Sequence, residues 1–173
     1  QVDLPSSRGT HRILNVHKNV PGVLSNIHRI VSEHNANVLG QVLATDAGKT
    51  RILNVVPSLD TPVCDLQTRR FNQEAANLGD GVVIVTISMD LPPAQARWCA
   101  AAGVGNLTMT SDYYDRSFAK AYGLLIEELG LLARTVIIID PDETVRYVQL
   151  VPEVAEEPNY EAVLVAAREV IGE

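Results

Sequence analysis

The stretch Arg51-Ile-Leu-Asn-Val-Val-Pro-Ser-Leu-Asp-Thr-Pro-Val-Cys64 decides the fold. Residues 51–56 are mostly apolar, run into the turn residues Pro57, Ser58 and Asp60, and read as a strand. Pro62 suits the first turn of a helix, because the N–H it lacks would have no intrahelical partner there. The helix is expected to run to about Leu78. Cys64 then lies in its first turn, facing free amide N–H groups and the positive end of the helix dipole. Both favour the thiolate, the nucleophilic form of cysteine. Thr61 is the natural capping residue, and its hydroxyl is also suited to hydrogen-bond a bound oxygen. A free cysteine is commonly just a small buried hydrophobe. The strand–turn–helix placement leaves both readings open.

Working outward, residues 82–87 form an unbroken apolar run, the pattern of a strand covered on both faces. A helix over 92–102 is closed by Gly103, and a short helix covers 116–122. Strands 135–139 and 145–151 are joined by the turn Asp140-Pro-Asp-Glu143. A last helix places Tyr160, Val163, Leu164, Ala167 and Ile171 on one face. Upstream, 12–16 and 38–45 read as strands. Between them Pro21 opens a helix with Val23, Leu24, Ile27, Ile30 and Val31 at helical spacing. Residues 12–16 and 51–55 share the pentapeptide Arg-Ile-Leu-Asn-Val, too short for a structural repeat. Alternating strands and helices followed by a hairpin and a helix predict an α/β layered fold with a mixed sheet.

The 173 residues suffice for one domain or two small ones. They are 46% hydrophobic and 20% charged, an ordinary globular balance. A net charge of −7 argues against nucleic acid and anionic lipid as partners. No apolar stretch reaches the roughly 18 residues of a membrane helix. Residues 1–9 lack the apolar core of a signal peptide, so a reducing cytoplasm is the expected compartment. There the two cysteines are expected as reactive or buried thiols, not as a structural framework. Cys99 lies inside a predicted helix, so a bond to Cys64 would need local unfolding. His11, His17, His28 and His34 show no metal-ligand spacing, and no metal or cofactor is expected. Gly103-Val-Gly105 follows a helix and lacks a third glycine, so it is no dinucleotide loop. Arg134, preceding an apolar strand, reads from its surroundings as a surface ion pair. Arg69-Arg70 reads as a solvated helix face.

From Gly48 onward the chain resembles the thiol peroxidases, atypical two-cysteine peroxiredoxins. The resemblance rests on Pro57-Ser-Leu-Asp-Thr-Pro-Val-Cys64, Ser88-Met-Asp-Leu-Pro92, Gln95-Ala-Arg-Trp-Cys99, Leu132-Ala-Arg134, Gln149-Leu-Val151 and Glu157-Pro-Asn-Tyr160. It implies a thioredoxin-like fold with a mixed sheet and helices on both faces over 47–173. It also implies Cys64 as the peroxidatic cysteine and Cys99 as the resolving one. Thr61 and Arg134 would position the peroxide and hold the thiolate, and Pro57 would shield the site. Hydroperoxide as substrate, thioredoxin as reductant, a homodimer and the absence of any cofactor follow from the same resemblance.

Residues 9–24, with Ser32-Glu-His-Asn-Ala-Asn-Val38 and Gln41-Val-Leu-Ala-Thr-Asp46, resemble instead the regulatory ACT domain of phosphoglycerate dehydrogenase. That resemblance implies a linker over 1–9 and an ACT-like βαβ over 10–46. There His17, Asn19 and Asn37 match effector-binding positions for an amino acid. The chain then reads as a chimera, with the βαβ added to or replacing the first elements of the peroxiredoxin part. An engineered or recombined fusion with little activity and an amino-acid-binding module are the alternatives to a peroxidase.

Overall fold

The computed structural model describes residues 48–172. The linker expected over 1–9 and the whole ACT-like segment over 10–46 lie outside those residues.

Strand β1 (Thr50–Val55) occupies the middle of a five-stranded sheet. On one side it pairs in parallel with β2 (Val82–Ser88), which pairs in parallel with β3 (Thr108–Ser111). Helix α1 (Pro62–Ala75) makes the crossover from β1 to β2, and α2 (Pro92–Ala102) the one from β2 to β3. Parallel neighbours require such crossovers. A short helix, α3 (Ser117–Tyr122), and a two-stranded hairpin, β4 (Leu125–Ile126) with β5 (Leu131–Leu132), follow. The chain then returns as β6 (Thr135–Ile139), antiparallel to β1, and turns into β7 (Val145–Leu150) at the sheet edge. Helix α4 (Tyr160–Ile171) ends the fold.

Alternation along β1 sends Ile52 to one face of the sheet and Leu53 and Val55 to the other. On the first face Ile52, Ile84, Val136 and Ile138 pack against Phe71 of α1 and Val163, Leu164 and Ala167 of α4. On the second, Leu53, Val55, Ile87, Ile137 and Ile139 pack against Ala119 of α3 and against Leu124 and Leu132 around the hairpin. Helices thus cover both faces of a mixed sheet, the thioredoxin-like arrangement.

Several boundaries differ from expectation. Helix α1 stops at Ala75, and Leu78 reaches the same core from the following turn, which reverses at Gly79 with φ +73°. Strand β3 has the sequence Thr-Met-Thr-Ser, half exposed at an edge, with no apolar run to betray it. Strands β4 and β5 are two residues each, too short for periodicity. The N-cap residue of α3, Arg116, makes no side-chain cap bond, and Asp115 Oδ1 accepts the Ser117 N–H at 3.2 Å. Asp112 accepts the N–H groups of Phe118 and Ala119 at 2.9 and 2.8 Å. Asn159 caps α4 by accepting from the Ala162 N–H.

Phe71 is fully buried and meets the Tyr160 ring edge-on, with centroids 5.7 Å apart. Truncation Phe71→Ala is expected to cost about 3–5 kcal/mol, read as a lower urea midpoint with an unchanged slope.

Candidate active site

Thr61 is the N-cap of α1 and Pro62 its first residue, which makes Cys64 the third helical position. The first intrahelical bond runs from the Asp65 N–H to the Thr61 carbonyl, so Cys64 sits among the helix's unpaired amides. Its side chain has no exposed surface and packs with Val56, Leu59, Trp98 and Met109.

Arg134, in the link between β5 and β6, is 1% exposed and points at this sulfur. Its Nη2 donates to Cys64 Sγ at 3.4 Å and to the Val154 carbonyl at 2.7 Å. Nε donates to the same carbonyl, and Nη1 to Gln67 Oε1 at 2.6 Å. A surface ion pair is therefore not what the sequence conceals here. The guanidinium donates to a carbonyl, an amide and a thiol, with no carboxylate among them. Of these three, only the sulfur can take up a negative charge.

The chain of donors continues inward. Gln67 Nε2 donates to Asn54 Oδ1 at 2.6 Å, and Asn54 Nδ2 donates to Thr86 Oγ1 at 3.0 Å and Thr68 Oγ1 at 3.4 Å. All of these residues are buried. Gln67 and Asn54 are not among the residues expected at the site from sequence. Their signal was present: Cys64, Gln67, Thr68 and Phe71 fall on one buried face of α1 at i, i+3, i+4 and i+7, with polar side chains where a core face should be apolar.

Asp90, equally unforeseen, clamps the turn that carries Pro57 and Thr61. Its carboxylate accepts from Ser58 Oγ, the Leu59 N–H and Ser88 Oγ, each at 2.7 Å. Pro57 is buried at the start of this turn, and its carbonyl accepts from the Met89 N–H. Thr61 is exposed. Its hydroxyl donates to the Ser58 carbonyl at 2.8 Å, so it occupies the cap position without making a side-chain cap bond.

Cys99 lies within α2, half-buried, and both cysteines are free thiols. Burial pushes the Cys99 thiol up. His17, Asn19 and Asn37 fall outside the described residues. Among the described residues no group of His, Cys, Asp and Glu is placed to hold a metal ion.

Gln67→Leu leaves a guanidinium N–H and the Asn54 carbonyl buried without partners. It is expected to cost about 2–4 kcal/mol, and the double variant with Asn54→Val less than the sum of the singles, because they share one network. In a Cys64→Ser background, alkylation of Cys99 is expected to rise only above the pH at which a free cysteine of pKa about 8.5 responds. A profile matching that of a small free thiol would contradict the burial argument.

The Redoxin family profile matches residues 30–164, beginning inside the segment read as ACT-like. A thiol peroxidase of Streptococcus pneumoniae is 54% identical over 126 residues, 73% of this chain and 77% of that protein. A thiol peroxidase of Halalkalibacterium halodurans is 54% identical over 134 residues, 77% and 80% of the two chains. The solved peroxiredoxin-like protein of Aquifex aeolicus superposes with a TM-score of 0.67 at 44% identity, covering 71% of this chain and 72% of its own. With a family match over most of its length and relatives above half identity, the chain belongs to the Redoxin family and, within it, to the thiol peroxidases.

Proposed function

We propose that this protein reduces hydroperoxides with Cys64 as the peroxidatic cysteine and Cys99 as the resolving one. The observation that carries this reading is the buried Arg134 guanidinium aimed at a cysteine in the first turn of α1. The Cys64 thiolate attacks the terminal oxygen of ROOH. The S–O bond forms, the O–O bond breaks, and RO⁻ leaves and takes up a proton. Arg134 and the amides of the first turn of α1 lie where negative charge moves along that axis, as preorganised donors should. Thr61 exchanges the Ser58 carbonyl for the peroxide, and Pro57 keeps water from the sulfur. The Cys99 thiolate then attacks the Cys64 sulfenic acid. An S–S bond forms, the S–O bond breaks, and the hydroxide released is protonated to water.

Thioredoxin, a dithiol reductant, returns the disulfide to two thiols, and the cytoplasm supplies the reducing setting. Among the described residues no helix is long and apolar enough to cross a membrane. The homodimer and the division into a linker over 1–9, an ACT-like βαβ over 10–46 and a peroxiredoxin unit over 47–173 are part of the same proposal, carried by sequence alone. So is the amino-acid site at His17, Asn19 and Asn37, for which titration calorimetry with serine is the check.

Mixing reduced protein with stoichiometric hydroperoxide is expected to consume both thiols of each chain within one turnover without a disulfide between chains. Cys64→Ser abolishes peroxide consumption. Cys99→Ser still consumes one equivalent but forms no intramolecular disulfide. Peroxide consumption by Cys64→Ser at the wild-type rate would sink the assignment.

A further inference from the structure

Helix α2 carries Cys99, yet it is poorly anchored by apolar burial: Gln95 is its one fully buried residue. Gln95 Nε2 donates to Ser88 Oγ at 2.9 Å and to the Thr110 carbonyl at 2.7 Å, and three polar residues of α1 hold the rest of the helix. Asp65 accepts from Trp98 Nε1 at 3.0 Å. Arg69 donates to the carbonyl of Ala102, the last residue of α2, at 2.9 Å, and lies over the Trp98 ring, 5.6 Å from its centroid. Asn72 Oδ1 accepts the N–H groups of Gly105 and Asn106 at 3.2 and 2.9 Å, in the loop that follows. The Arg69–Asp65 ion pair at 2.8 Å joins the first two of these contacts. Residues 65, 69 and 72 stand at i, i+4 and i+7, one stripe along α1. Their partners, 98, 102 and 105–106, run along α2 and into the loop after it in step.

Adjacent helical residues do not share a face. Trp98 packs against the Cys64 cluster, and Cys99 beside it is not among the residues packed there. A disulfide needs Cα atoms within about 7 Å and converging Cβ vectors. Cys99 therefore reaches Cys64 only after α2 leaves its seat, and this stripe, together with Gln95 near the start of the helix, holds α2 there. We propose that Asp65, Arg69 and Asn72 form a polar latch that sets how often α2 opens, and thereby the rate at which Cys99 condenses with oxidised Cys64. They are positioning residues, acting through α2 and not on the peroxide. The inference rests on the two-cysteine reading above. Its consequence is a partition. While the latch is closed, the Cys64 sulfenic acid waits, exposed to a second ROOH that would oxidise it to the sulfinic acid and release ROH. Each opening diverts it to the disulfide.

The test uses Asn72→Ala and Arg69→Gln in the full chain; neither side chain is hydrogen-bonded to the Cys64 sulfur, whose donor is Arg134. Stopped-flow and mass spectrometry follow the two steps separately. The expected result is an unchanged rate of Cys64 oxidation, disulfide formation about five- to tenfold faster, and a correspondingly higher peroxide dose for half sulfinic acid. Disulfide formation unchanged or slower in both variants would overturn the latch. Amide exchange over residues 92–102 of the reduced protein is measured alongside and needs no peroxide chemistry. It should quicken by a similar factor there and not in β1 or β6. If wild-type protein forms no disulfide, the two-cysteine reading fails by itself. Unchanged exchange would then overturn the latch as well, and local quickening would sustain it.

Discussion

A guanidinium taken almost wholly out of water is the constraint around which this molecule is arranged. Leaving such a charge without enough acceptors costs several kcal/mol, so the chain has to bring acceptors to it. Arg134 draws three of them from two segments: the Val154 carbonyl from beyond β7, and Gln67 and the Cys64 sulfur, one turn apart, from α1. Its own carbonyl accepts from the Val151 N–H, which ties the residue to the end of β7. The β1–β6 pairing places the start of β6, next to Arg134, opposite Val55, where β1 runs on toward the turn that opens α1. The sheet order is thus what lets an arginine and a cysteine seventy residues apart in sequence meet.

Register carries the same requirement deeper. Asn54 stands beside Thr86 in the parallel β1–β2 ladder, and their side chains are hydrogen-bonded on the face that α1 covers. A slip of one residue between these strands would move Thr86 to the opposite face and leave Asn54 short of an acceptor. The amide of Asn54 would then lose part of what orients Gln67, and Gln67 part of what orients Arg134. Strand register, usually specified by apolar alternation alone, is here also specified by a polar chain that ends at the sulfur.

What the sequence disclosed followed from how local the cause was. The strand, turn and helix around Cys64 were legible because Pro57, Pro62 and the apolar run act within fourteen residues. Strand β3 and the β4–β5 hairpin were not, because Thr-Met-Thr-Ser and two-residue strands are paired by their neighbours and not by their own pattern. Arg134 exposes the limit most sharply. Its immediate neighbours suggest a surface charge, and only residues far away in sequence make it a buried donor. Resemblance to known peroxidases identified it where local physics pointed elsewhere. Gln67 and Asn54 escaped both, since neither belongs to a motif.

That polar chain is difficult to explain as a device for stability. Buried ionic and amide networks are commonly replaceable by apolar side chains of similar volume with no loss of stability. Phe71, Ile52 and Ile84 show that this side of the sheet has the apolar packing to do without it. What an apolar replacement cannot do is hold a positive charge and a helix end against one sulfur in a site from which water is excluded. There, electrostatic interactions gain strength, and the donors need no reorganisation as charge moves. Under the function proposed above, the network is the scaffold of a reaction, and the aliphatic core on either side is what allows the fold to tolerate it.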